Sequence, residues 1–467
     1  MKLFVGTVLT LALLTASRTP PSWQPGTSKP NIIYILADDL GYGDVGFTGQ
    51  TKIKTPNIDA MAREGVIMTQ HYSGAPVCGP SRSSLLTGKH TGHTRVRGNP
   101  GWSSSGQPVV LLPEDVTVAE ELKRAGYRTG VFGKWGMDES GTTGQANAQG
   151  FDEFFGYKGH GEAHHYYPKH LWRNHEKIEY PTNVPEETKG QYSHDLVANE
   201  ALNFIKTAIG QKKPFFAYVA FTTPHYELTV PADSKKPYEN LGWEKRPMKK
   251  AHYYNDEEGN VTYAGMVSRM DGDIGRINKL LKDMGVDRNT LVIFTSDNGP
   301  EYDTGFFNSN GPFRGKKRDV YEGGIHEPFA AKWPGTIPAG TKSNHPSAFW
   351  DFLPTACAVA GIKPSTADLD GISYLNALRG KQQQPHPYLY WEFNEGPNGP
   401  KQAIRQGDWK LVKFFEKPAE LYNLAKDPGE ETNAAAQNGP KVTELQGIMA
   451  TARSNDPNYE LVKLKEK

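Results

Sequence analysis

Four runs of apolar residues recur along the first three hundred positions, and each ends abruptly in polar residues. Residues 31–36 read N-I-I-Y-I-L and stop at Ala37-Asp38-Asp39. Residues 129–132 stop at Gly133-Lys134-Trp135, and residues 214–221 (P-F-F-A-Y-V-A-F) at Thr222-Thr223-Pro224-His225. Residues 290–295 stop at Ser296-Asp297-Asn298-Gly299. Apolarity that runs on without alternating is the pattern of strands covered on both faces. Helical signals lie between them. Thr55-Pro56 opens a helix that runs to Glu64 and stops at Gly65, and Thr117 caps one that ends at Gly126. Two longer helices are predicted over 193–208 and 262–284. The alternation predicts an α/β sandwich, a large mostly parallel sheet between helices, over residues 31–380. After 380 the pattern changes. Residues 387–393, 401–404 and 409–414 read as short antiparallel strands and 442–453 as a helix, which predicts a smaller C-terminal α+β subdomain over 381–467.

In open sheets of this kind ligands bind beyond the carboxyl ends of the strands. Four such ends carry Asp38-Asp39, Lys134, His225 and Asp297-Asn298, a set suited to an anion and a metal. Adjacent acids repel unless a cation lies between them. Asp38, Asp39, Asp297 and Asn298 are all hard oxygen donors, which favours Ca²⁺, with Mg²⁺ as the other choice, over Zn²⁺. One such pair alone reads first as turn or cap chemistry; two pairs at two buried strand ends reverse that and point to metal.

The stretch 77–88, V-C-G-P-S-R-S-S-L-L-T-G, holds Cys78 at a predicted helix start, with Pro80 near the first helical position and Ser81, Ser83 and Ser84 as capping residues. A helix N-terminus attracts anions, and Arg82 adds a fork of donors suited to an oxyanion. A thiol there is either a small buried hydrophobe or a thiolate nucleophile. The chain has 2 cysteines, too few for a disulfide framework, and Cys357 within the apolar run 356–360 reads as core.

Charge narrows the partners. Lys and Arg number 53 against 52 Asp and Glu, with no polybasic run, so neither nucleic acid nor a membrane surface is expected. Residues 1–17 read as a signal peptide: Lys2, an apolar run over 3–14, then Ala16 and Ser17. That run is too short to span a bilayer, and no later stretch is apolar enough for a membrane span. Residues 18–30 read as a linker. Export with almost no cysteine fits a periplasmic or secreted bacterial protein.

The spacing Cys78-x-Pro80-Ser81-Arg82, continuing to Leu85, Leu86, Thr87 and Gly88, resembles the signature of the type I, formylglycine-dependent, arylsulfatase-like sulfatases of the alkaline phosphatase superfamily. The resemblance runs from about residue 31 to 380 and implies an alkaline-phosphatase-like sandwich with a catalytic domain there. It implies that a formylglycine-generating maturation enzyme oxidises Cys78, and that the hydrated aldehyde attacks sulfur. It implies that Asp38, Asp39, Asp297 and Asn298, with the oxygen at position 78, hold a divalent cation, usually Ca²⁺. Arg82, Lys134 and Lys317 would stabilise the sulfate, and His225 in T-T-P-H would protonate the leaving oxygen. Lys317 is chosen over Lys316 because the family lysine lies four residues before the tyrosine of Y-E-G-G, here Tyr321.

One departure stands out. The family's G-K-W-H reads Gly133-Lys134-Trp135-Gly136 here, so a histidine that contacts the hydrated formylglycine is missing. Either the chain manages without it or another histidine serves. The loop 159–170 offers His160, His164, His165 and His170, of which His164 and His165 are preferred. With Arg314 they are expected to bind substrate. Trp102, Trp172, Tyr166, Tyr167 and Trp243 fall in predicted loops, and aromatic faces beside such donors suit a sugar ring. The expected reaction is hydrolysis of sulfate esters, of a sulfated carbohydrate first. The alternatives are a phosphonate or phosphodiester hydrolase of the same superfamily, and a non-catalytic sulfated-glycan-binding protein, suggested only by Gly136.

Overall fold

The four apolar runs become neighbouring strands of one sheet. In the computed structural model, which describes residues 29–137, 142–248, 253–254, 256–302, 304–395 and 399–462, ten strands form this sheet. Their order is Thr341–Ser343, Val66–Met68, Ala330–Lys332, Thr290–Ser296, Asn31–Ala37, Phe215–Ala220, Arg128–Lys134, Glu153–Tyr157, His170–Arg173, Glu176–Glu179. The five strands from Thr290–Ser296 to Glu153–Tyr157 are parallel, and the antiparallel pairings lie towards the edges. Residues 1–17 and most of the linker lie outside the described residues.

All seven residues of Asn31–Ala37 are buried, as continuous apolarity requires. Ile33 and Ile35 join one core with Ile58, Val197 and Ile274, which come from the helices Pro56–Arg63, Ser193–Gly210 and Gly259–Asp283. Ile32, Tyr34 and Leu36 join the opposite core with Leu85, Leu122 and Leu353, from Cys78–Thr87, Val118–Arg124 and Phe352–Val359. Thr117 caps its helix as expected, accepting from the Glu120 amide at 3.2 Å, while Glu120 accepts from the Thr117 amide. Cys357 is fully buried.

The C-terminal strands Leu389–Phe393, Lys401–Gln406, Trp409–Phe414 and Glu420–Asn423 form an antiparallel sheet. One face packs on Leu445 and Met449 of the helix Gly439–Thr451. The other carries Trp391 and Phe393 onto Tyr72, Val77 and Trp350 of the main body, so the small sheet leans on the Cys78 region. A third, three-stranded sheet joins the two-residue strands His326–Glu327, His71–Tyr72 and Ser347–Ala348. Sequence patterning does not predict it, because two residues carry no readable periodicity.

Candidate active site

Strand register builds the site. Ala37 pairs with Ser296, Leu36 with Ala220, and Gly133 with Ala220. The chains therefore leave the sheet together, and Asp38, Lys134 and Asp297 emerge at one edge. Asp39 adopts a left-handed backbone, φ 63°, which aspartate tolerates better than most residues. Its amide donates to Asp297 Oδ1 at 3.2 Å, and its Oδ1 accepts from Asn298 Nδ2 at 2.7 Å.

The helix Cys78–Thr87 enters this edge with every residue buried. Its N-cap is Val77, with no side-chain cap, so the serines do not cap it. They tie the helix to its surroundings instead: Ser81 Oγ donates to the Asp297 carbonyl at 2.6 Å, and Ser83 bonds Thr94 at 2.6 Å. Arg82 reaches Asp297 Oδ2 through Nε and Nη2 at 3.0 and 2.8 Å, and its Nη1 donates to the Lys134 carbonyl at 2.7 Å. Lys134 Nζ donates to Asp38 Oδ2 at 2.7 Å. Lys317 Nζ lies between Asp39 at 2.6 Å and Glu301 at 3.0 Å. The Cys78 thiol donates to Asp38 Oδ1 at 3.4 Å, and His225 Nε2 is 3.4 Å from Asp39 Oδ2. One ligand atom from each of Asp38, Asp39, Cys78 and His225 lies within 4.8 Å of the others.

This charge arrangement suits a further cation. Burial raises Asp38, but Lys134, His225, Arg82 and Lys317 outweigh it and hold the carboxyl well below its usual range. Burial pushes Asp39 up to about 6, with Lys317 opposing and Asp38 adding to the rise. Burial and the Asp38 charge push Asp297 up to about 7 despite Arg82. Among the described residues, Asn298 Oδ1 is buried without a hydrogen-bond partner. Two carboxyls that resist ionisation and an orphaned carbonyl oxygen are what a cluster of oxygen donors shows before a cation joins it. Burial and Asp38 also push the Cys78 thiol far up, which opposes a free thiolate there.

The sequence profile of the Sulfatase family matches residues 30–362. The chain belongs to the sulfatase family. A second profile, described as N-sulphoglucosamine sulphohydrolase, C-terminal, matches residues 313–453 of this sulfatase. It is 33% identical over 406 residues to N-acetylgalactosamine-6-sulfatase of Canis lupus familiaris, covering 82% of this chain and 71% of that one. It is 29% identical to an N-acetylgalactosamine-6-O-sulfatase of Bacteroides thetaiotaomicron, over 95% and 97% of the two chains. A solved structure of Ps i-CgsB in complex with k-i-k-neocarrahexaose superposes with a TM-score of 0.77 at 28% identity, covering 92% of this chain and 94% of that one. The sulfatase is accordingly a sulfuric ester hydrolase with an alkaline-phosphatase-like fold.

The histidines of this sulfatase sort clearly. Trp135 N donates to Tyr157 O and Gly136 N to Lys158 O, so the loop that follows Lys158 starts beside Gly136. From it His164 stacks on His225, with ring centroids 4.5 Å apart and planes at 13°. His160 meets His164 edge-on at 5.0 Å. His165 turns elsewhere, to Glu227 at 3.0 Å. Arg314 is also placed elsewhere. Its guanidinium donates to Tyr422 Oη and the Glu430 carbonyl, both at 3.0 Å, and covers the Tyr321 ring, which ties its loop to the C-terminal sheet. Tyr166 and Tyr167 belong to the buried core, and the half-buried Trp243 packs against it. Tyr166 still matters to the sulfatase, since its hydroxyl bonds the carbonyls of Thr222 and His225 at 2.7 and 3.0 Å and so fixes the His225 turn.

Sequence reasoning missed Glu301 and Asn99. Asn99 Oδ1 accepts from Gly79 N at 3.0 Å, and its own amide donates to Glu395 of the C-terminal segment at 2.6 Å. A Cβ at Gly79 would lie 2.8 Å from that Asn99 oxygen, so glycine lets the two meet. Glu301 had a signal, standing three residues after Asn298; Asn99 had none.

Proposed function

We propose that this sulfatase hydrolyses sulfate esters of a carbohydrate at the strand edge formed by Asp38, Cys78, Lys134, His225 and Lys317. The observation that carries the reading is a buried cysteine set among three carboxylates and three cationic side chains, with Asn298 Oδ1 unpartnered beside them. The names of the relatives support a sugar sulfate as substrate: two act on N-acetylgalactosamine 6-sulfate by name, and the structural neighbour holds a neocarrahexaose.

Asp38, Asp39, Asp297 and Asn298 are the residues that would hold Ca²⁺, or Mg²⁺ in second place, because all four offer oxygen and two of the carboxyls resist ionisation without it. A cation bound there would polarise a sulfate oxygen and orient the group at position 78. A formylglycine hydrate derived from Cys78 would supply a nucleophilic oxygen, and a second hydroxyl for turnover. The chain's own residues do the rest. Arg82 keeps Asp297 and Asp38 fixed and mostly charge-compensated. Lys134 and Lys317 present ammonium groups to an entering sulfate. His225 Nδ1 donates to the Tyr226 carbonyl, which leaves Nε2 facing the site. Burial and Lys317 push His225 down to about 3, so it is neutral at pH 7 before substrate binds. The negative charge of a bound sulfate ester offsets the two lysines and restores it as proton donor to the leaving oxygen.

The same reading takes residues 1–17 as an export signal, with a periplasmic or secreted location, a formylglycine-generating enzyme as maturation partner, and a domain boundary near residue 380. Among the described residues no helix is long and apolar enough to cross a membrane.

The mass of the tryptic peptide 64–82, from protein made in a host with the maturation enzyme, tests the proposal. The thiol mass should be replaced by the aldehyde mass, and sulfate should be released from sulfated sugars. An intact Cys78 thiol in that host would sink the mechanism. Chelation tests the cation: EDTA should lower the melting temperature by several degrees and activity at least ~100-fold, with Ca²⁺ restoring both. A melting temperature indifferent to EDTA and Ca²⁺ would remove the metal from this reading.

A further inference from the structure

Two imidazoles near His225 have nitrogens that no described residue takes up. Among the described residues, His160 Nδ1 and His164 Nε2 are buried without a hydrogen-bond partner. The other edge of His164 is occupied, with Nδ1 3.1 Å from the Tyr253 hydroxyl, and the His164 carbonyl accepts from Glu227 N at 3.1 Å. The ring is therefore held from two sides, with one nitrogen left over. Stacking on His225 fixes where that nitrogen sits, beside the imidazole proposed above to protonate the leaving oxygen. His160 adds a second unmatched nitrogen across an 80° ring angle. The loop around it is open, since a Cβ at Gly159 or Gly161 would meet nothing within 4 Å.

Buried polar atoms are matched almost everywhere in folded proteins, and the exceptions gather where a ligand supplies the partner. The chemistry of these two nitrogens narrows the ligand. The positive charges of Lys134 and Lys317 act on both rings and, after burial, oppose their protonation. A neutral imidazole has one N–H and one lone pair. That pairing matches a hydroxyl, which donates and accepts, better than a second sulfate or a carboxylate, which only accepts. A bare aryl group would leave both nitrogens unmatched, and such mismatches discriminate strongly.

We propose that His160 and His164 read the leaving group, hydrogen-bonding hydroxyls of the sugar next to the sulfated oxygen, and so select a hydroxyl-bearing alcohol over an aryl one. The inference rests on the sugar sulfatase reading above and names the residues that set its specificity. They are specificity residues; the proton of the leaving oxygen remains with His225.

The test compares His160→Phe, His164→Gln and, as a control, His165→Ala in the matured enzyme. The substrates are the 2-, 3-, 4- and 6-sulfates of galactose and the 3-, 4- and 6-sulfates of N-acetylgalactosamine, with 4-nitrophenyl sulfate as the aryl ester. His160→Phe keeps a ring of similar shape and removes the nitrogens. The expected result is a ~10–100-fold loss of kcat/KM on the best sugar sulfate and less than ~3-fold on the aryl ester, with His165→Ala near wild type on both. A readout free of turnover is calorimetry on Cys78→Ala protein, where adding His160→Phe should raise the Kd for that sugar sulfate ~10-fold. Equal losses on sugar and aryl esters would overturn the proposal, as would no loss on either, or a wild type that turns over only the aryl ester. A wild type that releases sulfate from neither, with the Cys78 thiol intact, is instead the failure of the sulfatase mechanism itself.

Discussion

Cys78→Ala gives a folded protein that releases no measurable sulfate, a loss of at least ~10⁴-fold in kcat. The fold survives because the change removes one sulfur from a fully buried helix start whose backbone is held by neighbours. Gly79 remains on Asn99, Ser81 on the Asp297 carbonyl and Arg82 on Asp297. Stability should fall by only about 1 kcal/mol. Chemistry fails because no other nucleophile is placed to replace it. Among the described residues the side chains around it are already engaged: Asp38, Asp39 and Asp297 by cations, the Ser81 hydroxyl by the Asp297 carbonyl and the Ser296 hydroxyl by the Asn298 carbonyl. Sugar sulfate should still bind, since Lys134 and Lys317 are untouched. Sulfate release above about 1% of wild type by the Ala variant would mean that position 78 is not the nucleophile.

Arg82→Met gives the largest stability loss of any single change at this site. Arg82 is fully buried and compensates Asp297 at 2.8 Å and Asp38 at 3.4 Å, while its Nη1 satisfies the Lys134 carbonyl. Met keeps most of the volume and removes the charge. One carboxylate is then left buried without its partner, which costs about 3–5 kcal/mol. That corresponds to a fall of roughly 4 °C in the melting temperature of the cation-free protein. Activity should drop ~10²–10³-fold, because Arg82 also fixes the end of the strand that carries Lys134.

The loss depends on pH in a known direction. Asp297 is pushed up to about 7 even with Arg82 present, above its value in an unfolded chain. The folded state therefore holds more protons than the unfolded state between the two values, and stability is lost as pH rises through that window. Without Arg82 the rise is larger. The variant should therefore be closer to wild type at pH 5 than at pH 8, and Ca²⁺ should narrow the gap. Melting curves at the two pH values, with and without Ca²⁺, decide it. A deficit independent of pH would show that Arg82 acts through packing alone.

The acidic strand ends and Cys78, which the proposed function takes as metal donors and nucleophile, are legible in the sequence because their chemistry is written locally. A buried parallel strand is a run of apolar residues, and the polar residues that end it are bound to reach the sheet edge. Asp38-Asp39 and Asp297-Asn298 can be read that way, and the 78–88 spacing needs no tertiary information. The helix capped by Thr117 is equally plain, since a capping box lies within four residues.

Long-range placement is not legible. His164 and His165 are adjacent in sequence and identical in type, yet one stacks on His225 and the other turns to Glu227. What separates them is the path of a loop set by Trp135 and Gly136 bonding Tyr157 and Lys158. Arg314 reads as a loop cation three residues before Lys317. The small sheet captures it through Tyr422 and the Glu430 carbonyl, over a separation of more than a hundred positions. Asn99 and Glu395 act on the start of the Cys78 helix from elements that no local pattern connects to it. Hydrophobic periodicity and strand-end position are properties of neighbouring residues, so the amino-acid order alone specifies four central strands of the ten-stranded sheet, where they end and which oxygens gather there. Which histidine stacks on His225, and which cations join the buried acidic cluster, follow only from the folded chain, because they depend on register and on contacts between residues far apart in sequence.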